Sequence, residues 1–271
     1  MNKRKLLPDN NIRMESMEAI LDNCIGKNEF IRQKRHYKYK TNNDLVNSLI
    51  LRNLLPAEMK AYFIKVDRLN YLHEYIKRDI GYTDTPSPIG FSQTITAPHL
   101  HAYAIKHMED YLYEGASILD VGSGSGYLTA VFGYCVGVHK NMGSVVGIDI
   151  YDSIVDYSIE KIKTYNPDLL NTGKLKIIKS DGWLGYPLKY NGPLYDAIHV
   201  GARADKLPIH LWNQLKPGGM ILIPIGSDGP DGSSSLKIFY KPANCGEYGM
   251  CIEKDKLGVR FVPLQKVSDY S

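Results

Sequence analysis

The chain has 271 residues, room for one large domain or for an ordinary domain with an extension. Its 44% hydrophobic and 23% charged residues fit a water-soluble globular protein, and no run approaches 18 consecutive apolar residues, which argues against a membrane span. The net charge of +4 lies at the start: residues 1–40 hold ten Lys and Arg against five acids and the rest 23 against 24, so the body lacks the basic face that a nucleic-acid groove needs.

The opening MNKRKLLPDNNIRMES is basic but has no apolar run behind it, so it does not read as a secretory signal. Residues 1–42 are expected to form a flexible basic extension, a solvated tail, with contact to RNA or a membrane surface as the alternative. Cys24, Cys135, Cys245 and Cys251 show no CxxC spacing, which fits free thiols in a reduced, cytoplasmic setting with no structural metal.

NDLVNSLILRNLL spaces Leu45, Leu49 and Leu54 as a helix entered from Asn43 or Asp44, and AEMKAYFIKV follows Pro56 as a second helical segment. GYTDTPSPIG reads as loop from its Gly, Pro, Ser and Thr density. Leu100, Tyr103, Ala104, Met108, Tyr111 and Leu112 recur at helical spacing and predict an amphipathic helix over roughly 97–113. Strands and helices then alternate. SILDV, SVVGIDI, KLKIIKS, YDAIHVG and MILIPIG are the strands; GYLTAVFGYCVG, YDSIVDYSIEKIK and ADKLPIHLWNQL are the helices. That order predicts an α/β fold with a doubly wound, mostly parallel sheet over residues 43–271. SSSLKIFYK and LGVRFVPL, with no helix between them, are expected to add antiparallel C-terminal edge strands.

ILDVGSGSGYLTA places Gly122, Gly124 and Gly126 at a strand-to-helix turn, where the backbone can turn tightly and approach a ligand. A tight turn alone would also use these glycines. The spacing is GxGxG, not the GxGxxG of dinucleotide sites. Asp149 ends the next strand, 27 residues beyond Gly122, where a carboxylate can accept two ribose hydroxyls. Asp181 ends the third strand, within reach of an adenine amino group. The three positions lie along the open-sheet crevice.

These residues resemble the class I S-adenosylmethionine-dependent methyltransferases, a Rossmann-like α/β/α sandwich; a nicotinamide oxidoreductase is the alternative. The resemblance implies S-adenosyl-L-methionine as cofactor and S-adenosyl-L-homocysteine as product. It puts Gly122, Ser123 and Ser125 at the methionyl part, Asp149 at the ribose, and Asp181 with Gly182 at the adenine, with Gly124 and Ile150 as further cofactor-binding residues.

GFSQTITAPHLHAYA, followed in order by DVGSGSG, SDGW, YDAIHVGA, LKPGG and GVRFVPL, is similar to the protein-L-isoaspartate (D-aspartate) O-methyltransferases over about residues 43–267. The resemblance implies a monomeric cytoplasmic repair enzyme. Its substrates would be proteins and peptides carrying L-isoaspartyl or D-aspartyl residues, methylated on the free carboxylate, with no nucleic acid or membrane partner. Thr96 takes the catalytic hydroxyl position, where many members have Ser. Gln93, Thr94 and Ile95 line the cleft, and His101 is at a cofactor-contact position. The GVRFVPL strand, with Val262, Pro263 and Leu264, pairs with the substrate backbone.

Other readings stand beside these. Thr96 precedes Ala97-Pro98 and so is also a natural N-cap. His99, His101 and His107 lack the i, i+4 relation of a helical zinc site. His199, Trp183 and Trp212 read as packing residues, and Asp120 as a partner for the loop amides. A methyltransferase for another acceptor such as tRNA, and a cofactor-binding module without catalysis, are the competing functions.

Overall fold

The computed structural model describes residues 38–76, 78–187, 194–226, 234–243 and 252–266. Of the basic extension, residues 1–37 lie outside them, as do Cys24, Cys245 and Cys251. In chain order the regular elements begin with α1 (Asn42–Leu51), α2 (Lys60–Lys65), α3 (Arg78–Gly81), β1 (Ser87–Gly90), β2 (Gln93–Ile95) and α4 (Pro98–Met108). Then come β3 (Ser117–Val121), α5 (Tyr127–Cys135), β4 (Ser144–Asp149), α6 (Asp152–Tyr165) and β5 (Leu175–Lys179). The chain continues with β6 (Tyr195–Val200), α7 (Ile209–Gln214), β7 (Leu215–Ile225), β8 (Ser234–Tyr240) and β9 (Ile252–Val259).

The large sheet has the order β5-β4-β3-β6-β7-β8-β9. Its strands are parallel from β5 to β7, and β8 and β9 run antiparallel at the edge. Strand alternation gives the sheet two apolar faces. Ile118, Val145, Ile177 and Ala197 pack beneath α4, α5 and α6, whereas Leu119, Ile148, Ile198 and Val200 meet Leu211 and Trp212 of α7. Each fully buried Val, Leu or Ile side chain among them contributes about 1.5–3 kcal/mol. From β3 the chain winds outward to β4 and β5 and then returns to the other side at β6. Such a reversal opens a crevice beyond the carboxyl ends of the strands. The expected α/β sandwich with antiparallel edge strands is therefore the observed one.

Besides α7, which covers only Ile209–Gln214 of the expected ADKLPIHLWNQL helix, four local expectations need correction. Helix α1 is capped by Thr41, whose side chain accepts from Asp44 N, so it starts slightly before the expected Asn43 or Asp44. GYTDTPSPIG is not all loop: Ser87–Gly90 pairs with Gln93–Ile95 in a hairpin, with Phe91 and Ser92 at φ 55° and 56° in its turn. LGVRFVPL is strand only as far as Val259. Beyond it the chain leaves the sheet edge and crosses the carboxyl end of β6, where Arg203 N donates to Val262 O at 2.8 Å and Leu264 N to Arg203 O at 2.7 Å.

The fourth concerns α4, which stops at Met108 and continues as a 3-10 turn over Glu109–Tyr111. Pro98 occupies its first turn, so Ala97 is the N-cap and Thr96 lies one residue too early to cap it. A carboxylate from an upstream loop does that work. Asp84 Oδ1 accepts from His99 N at 2.8 Å, contacts His99 Nδ1 at 2.8 Å, and its other oxygen accepts from Arg52 Nη1 at 2.6 Å.

No helix among the described residues is long and apolar enough to cross a membrane, and no three His, Cys, Asp or Glu side chains among them form a group that could hold a metal ion.

Candidate active site

The glycine loop is pinned from two sides. Gly122 N and Ser123 N both donate to Ile148 O, at 2.8 and 3.0 Å, and Gly201 N donates to Val121 O at 2.8 Å. Gly122 sits at φ 73°, a left-handed conformation that glycine adopts without the cost of a Cβ. Gly126 has a different duty: a Cβ there would overlap Ser158 Oγ, so its absence lets α5 close against α6.

Asp149 ties the loop to the end of β4. Its Oδ2 accepts from Gly124 N at 3.1 Å and its Oδ1 from Ile150 N at 2.8 Å. Burial pushes this carboxyl above its ordinary value, opposed by those backbone donors and reinforced by the charge of Asp120. Two lone-pair directions on each oxygen leave acceptor capacity for a diol.

An open cleft lies at these strand ends. Of the residues expected to bind cofactor or substrate, Gln93, Gly122, Asp149, Ile150, Gly182, Val262, Pro263 and Leu264 line it together. Val121, Ile148, Tyr151, Ser180, Ala202 and Gln265 also line it, and sequence reasoning missed them. Their signal was position alone, since most end a strand or follow one directly. Gln265 belongs to a tail that the motifs barely reach. It accepts from Tyr151 OH at 2.5 Å, while Trp183 Nε1 donates to Leu264 O at 2.9 Å. These two bonds hold residues 262–265 along one wall of the cleft. Trp183 is thus a bonded part of the wall as well as a packing residue.

Five other expected residues, Thr94, Ile95, Thr96, Asp181 and His101, are not among those that line the cleft. Ile95 is buried in the hydrophobic core. Thr94 pairs with Pro88 in the hairpin, and Thr96 follows that strand half-buried. Asp181 is buried and accepts from Trp183 N at 2.8 Å, which shapes the turn after β5. His101 is buried in α4 with its ring centroid 5.2 Å from that of Tyr127. Burial, with Arg68 and His199 nearby, pushes it well below its ordinary value, so it is neutral at pH 7.

Asp120 does not bond the loop amides. Strand alternation turns its side chain under α5, where Oδ2 accepts from Thr129 Oγ1 at 2.5 Å and Oδ1 lies 2.8 Å from His199 Nδ1. Asp149 takes the loop amide instead. His199, against Phe132 at 5.9 Å, is a buried bonded residue, in keeping with a packing role.

Ser123 and Ser125 test the fit of a polar ligand. Both are buried, and neither hydroxyl has a hydrogen-bond partner among the described residues. Buried hydroxyls are normally bonded. Two spare hydroxyls in the glycine turn and an acceptor carboxylate one strand away, at an open cleft, suit S-adenosyl-L-methionine.

Residues 40–269 match the family model described as protein-L-isoaspartate(D-aspartate) O-methyltransferase. The chain belongs to that family. A protein-L-isoaspartate O-methyltransferase of Triticum aestivum is 39% identical over 226 residues, covering 80% of this chain and 92% of the relative. One from Caenorhabditis elegans is 38% identical over 187 residues, covering 68% of this chain and 78% of the relative. A Plasmodium falciparum structure, described as a protein of this kind in complex with S-adenosyl-L-homocysteine, superposes with a TM-score of 0.74. It is 32% identical, and the match covers 84% of this chain and all of that one. As an isoaspartate O-methyltransferase family member, the chain is an S-adenosyl-L-methionine-dependent enzyme, and its glycine loop, Asp149 and C-terminal wall sit around one cleft.

Proposed function

We propose that the protein methylates the free carboxylate of L-isoaspartyl residues, and of D-aspartyl residues, in damaged proteins and peptides, and so starts their return to aspartate through a succinimide. The cofactor, when bound, supplies a methyl group on a sulfonium and leaves as S-adenosyl-L-homocysteine. Ser123, Gly124 and Ser125 hold its methionyl part, Asp149 and Ile150 the ribose, and Gly182 the adenine.

The observation that carries this reading is the cleft in which Gln93, Gly122 of the glycine loop, Asp149 and residues 262–264 meet. The helix behind Thr96 is capped by Asp84, its carbonyl is held by Arg68 Nη1 at 2.9 Å, and no described hydrogen bond uses Oγ1. Thr96 follows the strand whose Gln93 walls the cleft. A hydroxyl so placed orients an acceptor oxygen. The acceptor needs no general base, because a carboxylate of pKa about 4 is already ionised at pH 7. Alignment of one oxygen supplies the rate, an effect that can reach about 7–11 kcal/mol in ideal cases.

Val262 and Pro263 serve the acceptor peptide. Arg203 uses Val262 O and Leu264 N, and Trp183 uses Leu264 O, leaving Val262 N–H and the Pro263 carbonyl for a substrate backbone. Backbone pairing tolerates many side chains, as a repair enzyme requires. The near-neutral body supports action on proteins rather than nucleic acid, and the proposal takes the protein to act as a monomer in the cytoplasm without membrane partners.

Incubation with labelled S-adenosyl-L-methionine and paired peptides, differing only in aspartyl or isoaspartyl linkage, tests the proposal. Label on the isoaspartyl peptide alone is expected. Label on neither, with cofactor bound, would refute it.

A further inference from the structure

Arg68 is the largest fully buried side chain of the described residues and is 0% exposed. Its guanidinium forms no ion pair there. Nη1 donates to Thr96 O at 2.9 Å and Nη2 to Thr85 O at 3.2 Å, while Nε has no hydrogen-bond partner among the described residues. Asp67, its neighbour in sequence, is engaged elsewhere, accepting from Leu69 N and from Tyr82 OH. Asp84, the acid whose charge reaches Arg68, is already bonded to Arg52 and His99. The Tyr127 ring lies 6.0 Å from Cζ.

Buried charges are costly unless paired and fully bonded. Burial pushes Arg68 down to about 10, which still leaves it cationic at neutral pH. A guanidinium that only tied two carbonyls together would carry this cost with no use for its charge. The charge instead lies directly behind the Thr96 peptide, the position that the functional reading above gives to the acceptor-orienting hydroxyl. His101, the other basic group beside it, is neutral and offers no competing positive charge.

We infer that Arg68 is a positioning residue for methyl transfer: its buried, unpaired positive charge, held against the Thr96 carbonyl, favours an ionised carboxylate at Thr96 over a neutral group of the same shape. The inference rests on the isoaspartyl reading. It adds that selection of the acceptor's charge state originates behind the cleft wall, in a residue that touches neither substrate nor cofactor.

The test compares two peptides on the protein saturated with S-adenosyl-L-homocysteine. One carries an isoaspartyl residue; the other has a carboxamide in place of the free carboxylate. Wild-type protein is expected to bind the carboxylate peptide at least about tenfold more tightly. Arg68→Gln, which keeps hydrogen-bond donors but no charge, should reduce that ratio below about threefold while leaving cofactor affinity within about threefold of wild type. Arg68→Lys, which keeps the charge and loses the fork, should retain most of the ratio.

An Arg68→Gln ratio equal to that of wild type would overturn the inference, since a purely structural residue would weaken both peptides alike. If Arg68→Gln fails to bind S-adenosyl-L-homocysteine, Arg68→Lys decides: a preserved ratio supports the role of charge, and a lost one assigns Arg68 to the scaffold. Wild-type protein that labels no isoaspartyl peptide refutes the functional reading and this inference with it. Labelling with no preference for carboxylate refutes the inference alone.

Discussion

Asp84 holds the first turn of α4 through His99, fifteen residues further along the chain, by accepting both its backbone N–H and its ring Nδ1 within 2.8 Å. The helix that follows Thr96 therefore has its orphan donor satisfied from outside. Helix stability therefore does not depend on the adjacent Thr96 hydroxyl.

Thr96→Ala should accordingly leave the melting temperature within a degree or two of wild type, because no cap is removed. Methylation of an isoaspartyl peptide should fall about 100-fold, the scale of a misplaced reacting group. Thr96→Ser, which keeps the hydroxyl, should retain activity. Steady-state kinetics alongside thermal unfolding checks both halves, and a Thr96→Ala enzyme of normal rate would remove the hydroxyl from the mechanism.

Asp84 also sets a pH window for stability. Burial alone would raise its carboxyl, but bonds from His99 and Arg52 outweigh that and hold it at about 2. A carboxyl lower in the folded than in the unfolded chain stabilises the fold above pH about 4, and that contribution fades as pH falls towards 2. Discounted for the partly solvated Arg52, it is worth about 1–2 kcal/mol. Urea unfolding between pH 7 and pH 3 should show Asp84→Asn less stable at neutral pH, with the gap from wild type narrowing on acidification. A constant gap would show that the carboxylate charge is not what matters.

Asp149→Ala should weaken S-adenosyl-L-homocysteine binding by about 10- to 100-fold, the worth of hydrogen bonds to a charged acceptor. Burial raises this carboxyl, so in wild type it takes up its proton at a higher pH than an ordinary carboxylate would. Cofactor affinity should therefore begin to fall on acidification before pH reaches about 4. Calorimetric titration at several pH values measures this, and affinity independent of pH down to 4 would contradict it.

Tyr151→Phe deletes the bond to Gln265 across the cleft wall while keeping the ring. S-adenosyl-L-homocysteine should dissociate about 2- to 10-fold faster, matching a net hydrogen bond of about 0.5–1.5 kcal/mol. Stopped-flow displacement reads the rate directly. An unchanged rate would mean that the Tyr151–Gln265 bond does not hold the wall closed.

What the sequence disclosed follows from the range of the interactions involved. The strands of the parallel sheet were legible because both faces are buried, which writes Ile, Leu and Val into continuous short runs such as SILDV. The glycine loop was legible because Gly122, Gly124 and Gly126 sit at positive φ, and Asp149 because it closes the next strand. The hairpin before α4 was hidden because its turn uses Phe91 and Ser92 at positive φ, where Asn-Gly would have announced it. The cap from Asp84, the Arg68–Thr96 bond and the Tyr151–Gln265 bond join residues 15, 28 and 114 positions apart, and no local pattern encodes such pairs. Asp120 was misjudged for the opposite reason: proximity to the loop in sequence suggested a bond that strand alternation points away from.

The wall formed by residues 262–265 has a consequence for biosynthesis. The ribosome makes the glycine loop and Asp149 more than a hundred residues before Gln265, so the nascent chain holds one side of the cleft long before it holds the other. A chain ending at Val259 would keep its full sheet yet lack that side of the cleft. Translation thus completes the sheet before it completes the cleft.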